Sequence, residues 1–492
     1  MADIFEKHRD ICFALKGLDP VFKWSAPGAA WDGMLKATGV KIEYITEENV
    51  GMEFQELLEK NIRGGLSCIF QPYAKANNPH VDDYDPEKED TYLLYNDLNS
   101  QYPTCMMNPL PVGDYRKLEV EDNMDLLRQL LFNYNRDISP IRYQLLVDGY
   151  IPEELHDQWD WGVPTKMNVT SEMLSPYTRF LGSCFDMKDQ KESKIVPWLG
   201  KIENMLFDLH FLQFLFRLGF VVTAVHNVWS CRARAFMKRW VQENAARRAA
   251  STSKVEQNAI KLDMNSIYGK TLQNKKKMSN NSIYANVKKF EKAVQKFNVI
   301  DYSIVEIKND SFFGIVSTVN TKGIVLDTPR LIGFTVLEDA RALIMTFHFH
   351  VIKELWKSAK LLFSDTDSAI HMVSTKDPIG DMLRANASGN YPVKFDLSPL
   401  AAELLKDVLE KSRLSNPRCK LINKAAKTRK SAEELAKLIF DGCDERLTSS
   451  TPWNYFMSNY DNLNEYQGVL GAVKEESLPL YMSEYCGCQS KM

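Results

Sequence analysis

Two aspartates separated by a single residue form the segment with the clearest chemical potential. Asp365 and Asp367 flank Thr366 between two apolar runs, within residues 361–373. Apolar runs on both sides of a short polar turn predict a buried β-hairpin with two carboxylates at its tip. Like charges at close range raise each other's pKa, and a divalent cation would relieve that repulsion. The alternative for this segment alone is an Asp-rich surface turn, because Asp, Thr and Ser are ordinary turn residues.

A third carboxylate stands at the end of another predicted strand. Residues 92–97 are mostly apolar and end in Asp97, and the small polar residues of 98–101 follow directly. A carboxylate at a strand end beside a tight turn can bind a metal ion and present backbone N–H groups to a phosphate. The alternative is an Asx turn with no ligand.

Residues 228–277 carry the main concentration of positive charge. They contain twelve Lys or Arg against three Asp or Glu, whereas the whole chain has a net charge of -3. A nucleic acid would therefore have to bind this local surface. The pattern predicts two helices, one ending near Ala250 and one over 255–267 that carries Lys261, with an N-cap supplied by residues 251–253. The alternative is a solvated charged face.

These three elements suit one kind of chemistry, the transfer of a phosphoryl group on a polyanion. Carboxylates from two different strands are natural ligands for two metal ions about 3.5–4 Å apart, which clamp the attacking and leaving oxygens. Lys and Arg on a neighbouring helix would neutralise the phosphates of an incoming nucleotide.

Three motifs, in the expected order, resemble those of family B DNA polymerases. Residues 97–103 (DLNSQYP) resemble motif A, residues 261–269 (KLDMNSIYG) motif B and residues 363–368 (FSDTDS) motif C. Residues 62–65 (IRGG) resemble the Y-x-G-G element of the protein-primed branch, although a helix C-cap is the alternative for the paired glycines. The 157 residues between Pro103 and Lys261 match the terminal-protein-region insertion of that branch. Ile62 and Gln101 depart from the family, which has Tyr and Leu there.

The resemblance implies an α/β fold, with an α+β polymerase palm, fingers and an insertion like the terminal protein region. It also implies template-dependent addition of deoxynucleotides to a 3′-hydroxyl, with release of pyrophosphate and two Mg²⁺ ions. The direct metal ligands would be Asp97, Asp367 and the carbonyl of Leu98, and Asp365 would be an auxiliary carboxylate. The implied partners are template-primer DNA and deoxynucleoside triphosphates, and a terminal protein primer is left open.

Each remaining site residue has a role implied by the same resemblance. Tyr102 would lie beneath the sugar and exclude a 2′-hydroxyl. The nucleotide-binding residues would be Leu98, Asn99, Ser100, Tyr102, Arg248, Lys261, Asn265 and Tyr268. The DNA-binding residues would be Arg63, Gly64, Gly65, Gly269, Lys270, Lys275, Lys276, Lys277 and Lys491.

The same reasoning divides the chain into eight segments. These are a helix trailing a missing exonuclease domain (1–23), a first palm segment (24–110), the insertion (111–227), fingers (228–280), a second small insertion (281–326), a second palm segment (327–397), a Lys-rich helical insertion (398–462) and a truncated palm end (463–492). We expect sequence missing at both ends, namely the exonuclease domain upstream, and the thumb and the tyrosine of a K-x-Y motif downstream.

Local patterns predict further elements. Residues 25–28 should form a loop before a helix over 31–38, and residues 333–355 one long helix. His348 and His350 should be packed residues and not ligands, because their spacing places them on different helix faces. Residues 393–397 should form a strand.

Composition limits the remaining classes. The chain has 492 residues, 45% hydrophobic and 25% charged, as is typical of globular proteins. Its nine cysteines lack zinc-site spacing and indicate a reducing intracellular compartment. We expect no secretory leader and no membrane span. A non-catalytic DNA-binding remnant of a mobile element is the alternative function. A reverse transcriptase is disfavoured, since it would have two adjacent aspartates at the hairpin.

Overall fold

The structure, a computed structural model, describes residues 2–23, 25–119, 123–185, 193–307, 311–319, 327–393 and 395. Its helices are α1 Ala2–Lys16, α2 Ala26–Thr38, α3 Gly51–Asn61, α4 Gln101–Met106, α5 Asn123–Asn133, α6 Pro176–Cys184, α7 Leu209–Arg217, α8 Lys238–Ala250, α9 Lys254–Thr271, α10 Val287–Val294, α11 Arg330–Phe347, α12 Lys353–Leu355 and α13 Pro378–Ser388. Its strands are β1 Ser67–Ile69, β2 Thr91–Asp97, β3 Leu110–Leu118, β4 Ile141–Tyr150, β5 Val163–Met167, β6 Lys194–Trp198, β7 Ile202–Asp208, β8 Val221–Arg234, β9 Asn280–Tyr284, β10 Val299–Ile307, β11 Ser311–Thr318, β12 Lys360–Asp365 and β13 Ser368–Ser374.

A four-stranded sheet carries the acidic hairpin. Its strand order is β1-β12-β13-β2, and every pairing is antiparallel. The predicted hairpin is β12 and β13, and residues 361–364 and 368–371 are buried, as their apolar runs indicated. Strand β2 lies along β13, which brings an element from early in the chain beside the hairpin.

The other sheets are also antiparallel. One has the order β3-β8-β4-β7, β5 and β6 form a two-stranded ribbon, and β10-β11-β9 form a small sheet. Helix α10 packs on this small sheet through Phe290, which lies against Gly314. The protein therefore has the predicted mixed α and β fold, with antiparallel sheets.

Helix α11 packs against both the β1-β12-β13-β2 sheet and the β3-β8-β4-β7 sheet, which we call the second sheet. Nearly all of its residues are buried, including Arg330, Glu338, Asp339 and Arg341. Buried charges are stable only when they are paired and hydrogen-bonded. Asp339 accordingly accepts a 2.7 Å hydrogen bond from Arg142 of β4, which also binds Asp208 of β7. This ion-pair network fixes α11 against the second sheet.

Two helix boundaries differ from the predictions, and the end of α3 decides between the alternatives for the paired glycines. Helix α2 begins at Ala26 and not near residue 31, because Ser25 caps the N–H of Gly28 and proline suits a first turn. Helix α3 ends at Asn61 with Ile62 as an extended C-cap, so the paired glycines are not a helix cap. Helix α11 ends at Phe347, and the π-helical turn His348–Ile352 follows before α12.

The last described part of the chain contains a helix and, at residues 393 and 395, not the predicted strand. Val393 and Phe395 have no strand geometry, so the strand predicted over 393–397 does not form at these two residues. Helix α13, which begins with an Asp377 cap and Pro378, was not predicted. The predictions for 398–462 and 463–492 lie outside the described residues. No helix in the described ranges has the length and apolar character needed to cross a membrane.

Candidate active site

The three carboxylates lie at one end of the first sheet. Asp97 is the last residue of β2, and its partner across the ladder is Ser368, the residue after Asp367. Antiparallel partners have Cα atoms about 4.5–5.5 Å apart. The Leu98 N–H also donates a 2.8 Å hydrogen bond to the carbonyl of Asp367. The structure therefore places Asp97 and Asp367 side by side, although they are far apart along the chain.

The turn between Asp365 and Asp367 gives their carboxylates different neighbours. Thr366 has a φ of 60°, and the Asp367 N–H donates to the Asp365 carbonyl at 2.7 Å. A strand period of two would point both carboxylates the same way, and the left-handed residue breaks this period. The Asp365 carboxylate accepts a hydrogen bond from Ser67, whereas the Asp367 carboxylate is close enough to Asp97 for the two charges to repel each other.

The electrostatics of the cluster favour a bound cation. Burial raises the pKa of Asp367 to about 6, and repulsion from Asp97 and Asp365 adds to this effect. The pKa of Asp97 is also raised, because the surrounding protein displaces water from its carboxylate, and Lys261 opposes that shift. Burial raises the pKa of Asp365 too, against its hydrogen bonds from Ser67 and Thr366. Each shift disfavours the anion, and a divalent cation would reverse them.

The oxygen donors at this site suit Mg²⁺ better than a metal ion that is coordinated entirely by protein side chains. Within the described ranges no group of three or more His, Cys, Asp and Glu side chains is arranged to hold a metal ion. Asp97, Asp367 and the Leu98 carbonyl offer oxygen donors only, from adjacent strand ends. Mg²⁺ typically binds through one or two carboxylates and completes its shell with water and substrate phosphates. A site of this type does not require a full protein cage.

Helix α9 presents its predicted nucleotide-binding residues on one face. Lys261, Asn265 and Tyr268 follow the spacing of seven and four residues that places side chains on the same side of a helix. Lys261 is exposed and lies near enough to Asp97 and Asp367 for its positive charge to oppose the rise in the pKa of both. Ser253 caps this helix by accepting from the Glu256 N–H, as the sequence predicted.

Helix α4 carries the tyrosine of the first motif to the same place. Ser100, with a φ of 53°, stands before the helix and directs the chain from β2 into α4. The Tyr102 ring stacks on the Tyr268 ring, with centroids 4.0 Å apart and planes 17° from parallel. Gln101 is buried, and its Nε2 donates to the Ala340 carbonyl. Helices α4, α9 and α11 thus meet at this site.

Two further residues predicted to bind the nucleotide, Asn99 and Arg248, differ in their exposure to solvent. Asn99 is exposed in the turn after β2. Arg248 is half-buried in the last turn of α8. Their contact with a triphosphate stays a prediction.

Several predicted DNA-binding lysines already have partners in the protein. Lys270 donates to Gln273, Lys275 pairs with Asp327, and Lys276 pairs with Glu59 at 2.9 Å. Gly269 is exposed, and nothing lies near the position a side chain would take there. Lys277 is the last residue of a 3₁₀ turn, and Lys491 lies outside the described residues.

The Arg63 side chain is buried inside the protein, contrary to its predicted role in DNA binding. Its side chain is 1% exposed and donates to the Pro164 carbonyl, the Leu206 carbonyl and the Glu338 carboxylate. A guanidinium with these inward bonds is not available to DNA, so the predicted contact by this side chain is wrong. Gly64 is exposed and Gly65 half-buried, and their contact with DNA stays a prediction.

The structure adds residues that the sequence did not single out. Ser67 bonds the Asp365 carboxylate, and Arg341 donates to the backbone carbonyls of Arg63 and Gly64. Arg341 lies within the largely apolar helix α11, and the spacing of apolar residues in that helix does not predict that this charged residue is buried. Ser67 lies opposite Asp365 in the ladder, so a prediction of the β1–β12 pairing would have revealed it.

No family model and no curated protein match the chain. The chain is similar to solved structures of Phi29 DNA polymerase: an orthorhombic crystal form (14% identity, TM-score 0.43, 75% of this chain and 51% of that one), and a ternary complex with primer-template DNA and incoming nucleotides (16%, 0.41, 73% and 50%). The chain thus spans about half the length of these proteins. A likeness of this degree does not establish a shared activity.

Proposed function

We propose that this protein is a DNA-directed DNA polymerase that acts in the replication of a virus-like or mobile element. In the proposed reaction, the 3′-oxygen of a primer bonds to the α-phosphorus of a deoxynucleoside triphosphate. The bond from that phosphorus to the bridging oxygen breaks, and pyrophosphate leaves with the electron pair. The proton of the 3′-hydroxyl is lost to solvent or to a nearby base.

One observation carries the proposal, namely the meeting of two sequence motifs at adjacent strand ends. A hydrogen bond from the Leu98 N–H to the Asp367 carbonyl joins the motif that begins at Asp97 to the acidic hairpin. Helix α9 adds the third motif through Lys261 and through Tyr268, which stacks on Tyr102. Three motifs that resemble those of one polymerase family thus surround one site.

The residues of the chain have distinct roles in this proposal. Asp97, Asp367 and the Leu98 carbonyl would hold Mg²⁺, which when bound lowers the energy of the charge that develops on the phosphoryl oxygens. Lys261 and Arg248 would orient the triphosphate and neutralise its charge. The backbone N–H groups at Asn99 and Ser100 would bind phosphate oxygens. These contacts position the reactants, which is the main requirement of phosphoryl transfer.

The domain assignments follow from the same proposal. The β1-β12-β13-β2 sheet with α11 would be the palm, and helices α8 and α9 the fingers. The β3-β8-β4-β7 sheet would belong to the terminal-protein-region-like insertion, and the β9-β10-β11 sheet to the second insertion. Template-primer DNA and deoxynucleoside triphosphates would be the substrates.

The experiment is primer extension on a defined template with Mg²⁺ or Mn²⁺. We expect template-dependent incorporation by the native chain, and a loss of at least roughly 10²–10³-fold in Asp97→Asn and Asp367→Asn, the scale of one preorganised electrostatic contact. Asp125→Asn is a matched control, because Asp125 forms a surface pair with Arg128 on α5.

Each outcome of this experiment decides between functions. Activity retained in both aspartate variants would reject the assignment of the site. DNA binding by the native chain without extension at any metal concentration would favour a non-catalytic DNA-binding protein. Extension on an RNA template with comparable efficiency would favour a reverse transcriptase.

A further inference from the structure

Residues 63–67, which we call the support segment, pass directly against the acidic turn. A Cβ atom built on Gly65 would lie 2.5 Å from the Cγ2 and 2.7 Å from the Cβ of Thr366. Real Cβ atoms essentially never approach that closely. Gly65 has no positive φ, so this contact, and not backbone conformation, excludes a side chain at this position.

Thr366 itself has an unfavourable conformation. Its φ of 60° is a genuine outlier for a β-branched residue. Such a residue persists only where its surroundings fix it. The Thr366 N–H donates a 2.9 Å hydrogen bond to the Leu66 carbonyl, and Ser67 pairs with Asp365 in the ladder. The support segment therefore supplies the contacts that fix the turn.

The support segment is anchored on its other side by buried charges. The Arg63 guanidinium binds two backbone carbonyls and Glu338 of α11. Arg341, one turn further along α11, binds Glu338 and the carbonyls of Arg63 and Gly64. These bonds prevent the segment from moving away to make room for a larger residue at position 65.

We propose that Gly65 is a positioning residue for the divalent-cation site, acting through Thr366 on the carboxylates of Asp365 and Asp367. The inference rests on the proposed function. A methyl group at position 65 would displace Thr366, and the displacement would rotate the carboxylates on either side of it. The site would then hold its cation less tightly, although no cation-binding atom has been removed.

The test measures Mn²⁺ binding to the full chain by electron paramagnetic resonance, without DNA or nucleotide. We expect Gly65→Ala to weaken binding by about 10- to 100-fold, the usual effect of disturbing groups that orient metal ligands. Gly64→Ala is the matched control, because a Cβ on Gly64 would meet only the Ile195 side chain, at 3.9 Å. Any contact of Gly64 with DNA does not enter this measurement.

A double variant tests whether the effect passes through Thr366. Gly65→Ala/Thr366→Gly removes the clashing side chain and makes a positive φ favourable, so we expect it to recover most of the Mn²⁺ affinity. Should Gly65→Ala fail to fold, the double variant decides, because it carries the same methyl group at position 65 without the Thr366 side chain that the methyl group would meet. We expect the double variant to fold and to bind Mn²⁺.

The outcomes separate this inference from the proposed function. If the native chain binds Mn²⁺ and Gly65→Ala binds it equally well, the positioning role is overturned and the proposed function stands. A Gly65→Ala defect that the Thr366→Gly change does not relieve also overturns the role. A native chain that binds no Mn²⁺ without nucleotide overturns this inference alone, because primer extension, in which substrate phosphates can complete the metal's shell, decides the proposed function.

Discussion

At the scale of single residues, the stacked tyrosines define the shape of the proposed nucleotide site. The Tyr102 and Tyr268 rings lie 4.0 Å apart, and burial together with the neighbouring Tyr268 raises the pKa of the Tyr102 phenol well above its usual range. The Tyr102 phenol therefore stays protonated at physiological pH, and its stacking on Tyr268 holds the ring in place. A fixed ring at this place has the properties needed to exclude a substituent on a sugar.

Shortening Tyr102 should relax sugar selection. In Tyr102→Val we expect ribonucleotide incorporation to increase relative to deoxynucleotide incorporation by roughly tenfold or more, the scale of a 1–3 kcal/mol steric term. Tyr102→Phe keeps the ring and should keep the selection. The measurement is the ratio of kcat/KM values for the two sugars in single-nucleotide extension. An unchanged ratio in the valine variant would show that another group selects the sugar.

At the scale of elements, helix α11 connects the support segment to the second sheet. Glu338 accepts a 2.7 Å hydrogen bond from Arg63 and a 3.2 Å hydrogen bond from the Asp208 N–H, and it also pairs with Arg341. One buried carboxylate thus joins residues from three regions of the chain. Its loss would leave two buried guanidinium groups without their counter-ion.

Glu338→Gln should therefore destabilise the fold strongly. Removing one partner of a buried ion pair costs about 3–5 kcal/mol in the free energy of unfolding. Glu354→Gln is the control, since the Glu354–Lys357 pair is exposed and a surface change usually stays within about 0.5 kcal/mol. Urea unfolding followed by tryptophan fluorescence measures both. Equal unfolding midpoints for the two variants would contradict the structural importance of the network.

The elements differ in how far their sequences could predict them. The hairpin, β2 and α9 were predictable because apolar runs, a capping serine and turn residues all indicate the same structure. The end of α11 was not, because His348 stays buried through hydrogen bonds to His371 and Asp160. Those partners come from β13 and from the loop before β5, so the local pattern contains no sign of them.

In the candidate site too, some residues could be predicted from the local sequence and others could not. Motif spacing identified Asp97, Asp365 and Asp367, and the strand pairing brings them together. The burial of Arg63 could not be predicted, because an arginine beside two glycines has the same sequence whether it faces solvent or Glu338. Long-range partners decide which arrangement occurs.

At the scale of the whole molecule, the basic residues of 228–277 are unequally available to an anionic partner such as DNA. Lys275 and Lys276 are paired with Asp327 and Glu59. Lys254 is exposed and, among the residues that the structure describes, no carboxylate lies within ion-pair distance of it. It precedes Lys261 by seven residues, close to two turns, so both lysines lie on one face of α9. On that face, Lys261 lies near the carboxylates of Asp97 and Asp367.

We expect this face to determine how DNA binding depends on salt. Each lysine that neutralises a duplex phosphate contributes about 0.9 to the slope of log K against log salt concentration. Lys254→Gln should therefore lower the slope by about 0.9, measured by fluorescence anisotropy of a labelled primer-template across a salt series. Lys275→Gln/Lys276→Gln should lower it by less per residue, because these lysines are already neutralised within the protein. A larger loss per residue in that double variant would place the DNA along the 3₁₀ turn Lys275–Lys277 and away from the Lys254 face of α9.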